Sequence, residues 1–228
     1  MVIKSLSFDQ DEILQWIIQL YCPEGFELDP TYSTGVYYQG RVPVPKLRFD
    51  LRPTSKYVNK ADCRHLPLPD QSIGSINFDP PFTIGRRTSD GIIEGESIIP
   101  RRFDSFYNLA DCWNMYYDSL REFYRILKPH GVLVFKCQDT VSSCKQCLSH
   151  YQILRMALQM GFYPVDLFIL GNRNRIISSK HKNQQHARKF HSYFIVFKKE
   201  ECPVPYFDID TMKRWKCPTS FKSNKKKV

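Results

Sequence analysis

The sequence predicts an α/β fold, a mostly parallel sheet with helices on both faces, and three observations carry that expectation. Helical apolar patterns alternate with short β-type runs along the chain. Acids close or follow those runs at Asp29, Asp50, Asp62 and Asp79, and open parallel sheets bind ligands at the carboxyl ends of their strands. One run, SIGSINFD, is cut off by Pro80 and Pro81 in the stretch NFDPPFTIG, residues 77–85. Two prolines remove two backbone donors and fix two φ angles, so an interior strand cannot continue there. What remains is a rigid corner that carries an acid, Asp79, and ends in an aromatic, Phe82.

The elements follow in order. FDQDEILQWIIQLY has acids in its first turn behind Ser7 and apolar residues at helical spacing, which predicts an amphipathic helix. GFELDPTYSTG turns from a short apolar strand into an Asp-Pro loop of small residues, and PKLRFDLRP gives a second strand that ends on Asp50. Ala61, Asp62 and Cys63 precede the third strand, SIGSINFD. WNMYYDSLREFYRIL predicts a long helix, stopped by Lys128-Pro129-His130-Gly131 and followed by the buried-type strand VLVFKC. A helix over residues 143–160, the strand VDLFIL and the strand HSYFIVFKK complete the series; the last arrives after a loop, so it is parallel or antiparallel.

A chain of 228 residues with 42% hydrophobic content suits one large domain, here expected over residues 1–205, with a basic tail at 206–228. No long apolar run and no export leader is visible, which predicts no membrane association and an intracellular protein, in cytoplasm or nucleoid, or in a nucleus if the host is eukaryotic. The net charge is +10, which favours a polyanionic partner. Residues 171–191 hold six Lys/Arg and three His with no acid, and residues 213–228 hold seven Lys/Arg with no acid. The eight cysteines are expected to be reduced thiols. Cys144 and Cys147 in CKQC, flanked by Cys137 and His150, have ligand-like spacing, but the helical pattern makes them ordinary helix residues, and no metal is expected. GxGxxG, the P-loop, HExxH and GxSxG are absent, so the ligand is expected to offer hydroxyls and an amine to acids rather than phosphates.

With these residues in hand, the sequence resembles the S-adenosylmethionine-dependent amino-methyltransferases, which methylate exocyclic nitrogens of adenine or cytosine. Asp79-Pro80-Pro81-Phe82 matches their [DNS]-P-P-[YFW] motif, LKPHGVLVFKCQD resembles their L-K-P-G-G strand entry, and DPTYSTG is a looser match to a glycine-rich cofactor loop of which Gly35 remains. The resemblance spans roughly residues 8–199 and implies a Rossmann-like methyltransferase fold with seven mostly parallel strands. It implies S-adenosyl-L-methionine as cofactor, with Asp29, Pro30, Thr31, Tyr32 and Gly35 around its methionine part, Asp50 on the ribose hydroxyls, and Asp62 with Cys63 at the adenine. It also implies a catalytic role for the corner. Asp79 and the Pro80 carbonyl accept the two N–H bonds of the target amine, the prolines hold both acceptors fixed, and Phe82 stacks on the extruded base. Asp139 and Thr140, at another strand end, shape the site or cap a helix.

Two segments stand outside this scheme and are expected to contact nucleic acid. Residues 83–104, with Arg86, Arg87, Arg101 and Arg102, follow the corner and suit a substrate loop. Residues 171–190, with Arg173, Arg175, Lys180, Lys182, Arg188 and Lys189, suit a basic loop on phosphates. The expected activity is methylation of adenine N6 in DNA. An RNA amino-methyltransferase acting on adenine N6 or guanine N2, and a non-catalytic nucleic-acid-binding subunit, are the alternatives. No appended recognition module is visible, so target specificity is short or supplied by a partner protein.

Overall fold

Alternation along two long strands organises the protein, whose computed structural model describes residues 2–38, 40–82, 84, 106, 108–142, 145–173, 186–204 and 206. The described elements are, in chain order, β1 (Leu6–Ser7), α1 (Gln10–Tyr21), β2 (Leu28–Asp29), a 3-10 turn at Val36–Tyr38, β3 (Leu47–Asp50), β4 (Asn59–Lys60) and β5 (Ile73–Phe78). Then come α2 (Leu109–Ile126), β6 (Leu127–Cys137), β7 (Thr140–Ser142), β8 (Lys145–Cys147), α3 (Ser149–Gln159), β9 (Tyr163–Gly171) and β10 (His191–Lys198).

Side chains on a strand point to opposite faces in turn. On β6, Leu133, Phe135 and Cys137 enter one apolar cluster while Val132 and Val134 enter another. On β10, Ile195 and Phe197 join the first cluster and Phe194 and Val196 the second. The first is covered by α2 and α3, through Tyr116, Leu120 and Phe123 and through Ile153 and Ala157. The second is covered by α1, through Ile13, Leu14, Trp16 and Ile17. Both faces of the sheet are therefore buried under helices, as the near-continuous apolar strands require.

The main sheet has eight strands in the order β1-β9-β10-β6-β5-β2-β3-β4, and a separate two-stranded sheet pairs β7 with β8. Only the β10 pairings with β6 and β9 run antiparallel within the main sheet's described pairings. The eighth strand, beyond the seven expected, is the two-residue edge strand β1, which lies parallel to β9 with Leu6 opposite Ile169.

Two boundaries differ from the sequence expectation. The strand after α2 begins at Leu127 rather than Val132: Lys128, Pro129 and His130 bulge out exposed, and the register against β5 jumps from Ile73↔Leu127 to Ser75↔Val132. The helix expected over 143–160 starts at Ser149, and Thr140–Ser142 pairs with Lys145–Cys147 instead. Its cap is the reason. Leu148 supplies no capping side chain, while Asp139 accepts hydrogen bonds from His150 N (3.3 Å) and His150 Nδ1 (2.7 Å), anchoring the first turn there. Cys147 accordingly lies on a strand, and Cys144 is outside the described residues.

Candidate active site

The carboxyl ends of β5, β2, β3 and β4 bring four acids to one edge of the sheet: Asp79 just past β5, Asp29 and Asp50 as the last residues of β2 and β3, and Asp62 shortly after β4. Asp29 is almost fully buried, at 2% exposure. Its Oδ1 accepts from Thr31 N at 2.8 Å and Thr31 Oγ1 at 3.3 Å, and its Oδ2 accepts from Tyr38 Oη at 2.6 Å. Tyr38 Oη in turn accepts from Asn77 Nδ2 at 2.6 Å. Burial, only partly offset by those hydrogen bonds, raises the Asp29 carboxyl from 3.8 to about 7.

The loop that follows is held from several sides. Pro30 is buried. Tyr32 N donates to Phe49 O at 3.0 Å, and the Tyr32 ring stacks on Tyr38 at 5.5 Å. Gly35 takes φ +74°, and a Cβ there would come within 2.5 Å of Tyr32 Oη, so this position needs glycine. Asp50 accepts from Ser33 N at 2.9 Å and Arg52 N at 2.7 Å. A carboxylate has about four lone-pair sites, so Asp50 keeps room for hydroxyl donors. Asp62 is the more committed acid: Arg64 binds both oxygens, with Nη2 at 2.6 Å from Oδ2 and Nε at 2.9 Å from Oδ1. That guanidinium holds the Asp62 carboxyl below its usual range. Beside it, Cys63 Sγ lies 3.3 Å from Ser119 Oγ, and burial pushes its thiol up to about 11.

The proline corner is fastened to both neighbours. Asp79 N donates to Thr31 Oγ1 at 3.2 Å, joining the corner to the Asp29 loop, and Tyr116 Oη on α2 donates to Pro81 O at 3.0 Å. The Pro80 carbonyl has no hydrogen-bond partner among the described residues. Asp79 Oδ2 lies 3.0 Å from Lys136 Nζ on β6. Lys136 also lines an adjoining cleft of about 650 Å³, with Phe82, Phe8, Gln10, Arg173 and Lys189. Arg173 lies over the Phe8 ring, its Cζ 4.6 Å from the centroid.

Of the residues expected to contact nucleic acid, Arg173 and Lys189 thus reach the cleft beside Phe82, and Arg188, next to Lys189 in the chain, is half-buried. Arg86, Arg87, Arg101, Arg102, Arg175, Lys180 and Lys182 lie outside the described residues. Asp139 binds the first turn of α3, the capping role, and does not line the cleft. Sequence reasoning passed over Tyr38, Asn77, Gln10 and Lys136. Lys136 did leave a signal, as the one charged side chain inside VLVFKC.

The sheet order and the acid-lined carboxyl edge define a Rossmann-like α/β fold of the methyltransferase class, whose members use S-adenosyl-L-methionine. The chain belongs to the DNA methylase family of the N6/N4 type, whose sequence profile matches residues 74–228. Among solved structures it is similar to the Thermus thermophilus protein TTHA0409 in complex with S-adenosyl-L-methionine, at 16% identity over 66% of this chain and 57% of that one, with a TM-score of 0.42. It is also similar to the cytosine-N4-specific PvuII DNA methyltransferase, at 19% identity over 64% of this chain and 49% of that one, with a TM-score of 0.46. The chain therefore spans about half the length of these two proteins. No curated protein matches it in sequence.

The residues present fit this cofactor. A buried acid with a costly charge, Asp29, suits a cationic amino-acid group, and Asp50 suits vicinal hydroxyls. The glycine at Gly35 lets the backbone of the loop turn tightly beside them.

Proposed function

We propose that the protein transfers a methyl group from S-adenosyl-L-methionine to an exocyclic amine in DNA, with adenine N6 as the target. The observation that carries this reading is the Asp79–Phe82 corner, tied by Thr31 to the buried Asp29 and bordered by a cleft with cationic and aromatic walls. When bound, the cofactor supplies an electrophilic methyl: a nitrogen–carbon bond forms as the sulfur–carbon bond breaks, and a neutral thioether leaves.

The chain's own residues do the rest. The lone pair of a nucleobase amine is delocalised into the ring, so the nitrogen must be held pyramidal and aimed. Asp79 and the Pro80 carbonyl serve as fixed acceptors for its two N–H groups, and acceptors that need no reorganisation during the reaction are the effective ones. The Asp79 carboxylate takes up the proton that the methylated nitrogen sheds and passes it to water. Phe82 offers a stacking face to the base, which must leave its duplex to reach the corner. Arg173 and Lys189, at the cleft wall, neutralise phosphates of the flanking strand. Aspartate rather than serine at the first motif position favours adenine over cytosine.

The test is incubation of the purified protein with labelled cofactor and separate DNA and RNA substrates, followed by nucleoside mass spectrometry. N6-methyladenine in the DNA digest is the expected product. N4-methylcytosine would overturn the target, and methyladenine confined to RNA would overturn the substrate while leaving the chemistry intact.

A further inference from the structure

One residue connects the cleft to the catalytic corner. Lys136 lines the cleft, and its ammonium touches Asp79 Oδ2 at 3.0 Å and Gln10 Oε1 at 2.9 Å. The rings of Tyr37 and Phe194 lie 5.0 and 5.6 Å from Nζ. With its side chain only 13% exposed, Lys136 is held by two acceptors and two aromatic faces rather than swinging in solvent. An ammonium has three N–H donors. Two meet Asp79 and Gln10, and the third meets no oxygen or nitrogen acceptor among the described residues.

A carboxylate acceptor in contact with an ammonium donor is complementary to a ligand edge that places an N–H donor beside a lone-pair acceptor. Adenine and cytosine both have that edge. In adenine the N6 amine and ring N1 share one carbon, and in cytosine the N4 amine and ring N3 do.

We propose that Lys136 recognises the ring nitrogen next to the target amine, so that Asp79 and Lys136 read the amine and its neighbour together. The assignment rests on the amine-methylation reading above and adds a specificity residue to it. The amine donates to Asp79 while the ring nitrogen accepts from Lys136 Nζ, and two bonds to groups on one carbon fix the base against rotation in its own plane. Thymine and hypoxanthine are rejected twice over. Their carbonyl oxygen meets the carboxylate, and their ring N–H meets the ammonium, leaving two buried polar clashes.

The test is a cycle between one protein group and one substrate atom, in the sequence context mapped from the wild-type product. The ring nitrogen is deleted with 1-deazaadenine for an adenine target or 3-deazacytosine for a cytosine target, and Lys136 is changed to Met, with Lys136→Leu as a second variant that likewise lacks an N–H donor. Cofactor binding by calorimetry checks that each variant is folded. Both kcat/KM and equilibrium oligonucleotide affinity are read, because deleting the ring nitrogen also alters amine reactivity and only the coupling isolates the contact. The wild type should lose about tenfold or more on the deaza substrate, and the variants less than about threefold, as expected for one charge-assisted hydrogen bond. An equal deaza penalty in wild type and variants would overturn the assignment. So would a Lys136→Met enzyme faster than wild type on the natural base, which would make the lysine a plug on Asp79. A wild type that methylates no natural base in DNA or RNA removes the amine-methylation reading and this assignment together, whereas normal methylation with an uncoupled cycle removes Lys136 alone.

Discussion

Asp29 and Asp79 close neighbouring strands yet face opposite demands. In the proposed mechanism Asp79 presents acceptors to the substrate, so Asp79→Ala should lower methyl transfer about a thousandfold, the scale of losing one preorganised hydrogen-bonding group. Cofactor affinity, read by calorimetry, should stay within a few-fold. Asp29 is buried with its carboxyl raised to about 7, so in the unliganded protein the folded state binds the extra proton between pH 4 and 7. Its contribution to stability is therefore present at low pH and lost as pH rises through about 7. Asp29→Asn removes that term, and the stability of this variant relative to wild type, from urea melts, should increase between pH 5 and pH 8. Asp62 and Glu122, held below the usual carboxylate range, act in the opposite direction at lower pH, and both are common to the two proteins being compared.

At the level of elements, the segment that leads into β5 is fastened to α2 by one guanidinium. Arg125 Nη1 donates to Asp70 Oδ1 at 2.6 Å and Leu68 O at 2.9 Å, and Nη2 donates to Glu122 Oε1 at 2.6 Å, while Glu122 Oε1 also accepts from Leu66 N at 2.7 Å. Glu122 is buried at 8% exposure, so Arg125→Ala strands a charge and should destabilise the protein by about 2–4 kcal/mol in denaturant melts. Gly35→Ala should cost about 1–2 kcal/mol for its positive φ, plus displacement of the Tyr32 ring, with weaker cofactor binding as the functional readout. The long elements were legible in the sequence because their periods are long enough to read: α1, α2, β5, β9 and β10 lie where the apolar patterns place them. β1 and β4 are two residues each and carry no period. The β7–β8 pairing was hidden because the helical pattern of Ser149–Gln159 extends by chance into the residues before it, and the Asp139 anchor that decides the start acts on His150 from eleven residues away. The proline corner was legible because its chemistry is local. Lys136 was legible only as a lone charge inside VLVFKC, since an ion pair to a residue 57 positions earlier leaves no spacing that would name its partner.

For the whole molecule, the net charge of +10 becomes a binding statement only where the charges converge. Arg173, Arg188 and Lys189 are the described members of the basic stretch, and two of them line the cleft. Replacing all three by Gln should weaken DNA binding on every sequence and reduce the slope of log K against log salt by up to about three. Fluorescence anisotropy between 50 and 200 mM salt, on the order of the range where such slopes are read, checks this. An unchanged slope would return these residues to a solvated surface.

The pairing of β1 with β9 sets a timetable for biosynthesis. The ribosome releases the acids at the ends of β2, β3 and β5 first, whereas Lys136, Arg173 and Lys189 emerge later, and β1, just before Phe8 and Gln10, finds its strand partner only when β9 has been made. At usual translation speeds the interval between the two halves is on the order of ten seconds. On the proposed reading, a nascent chain therefore carries the acids for its cofactor before the far wall of the base cleft exists, and a polypeptide cut short before β9 lacks the part of that wall formed by Leu170, Gly171, Asn172, Arg173, Lys189, His191 and Ser192.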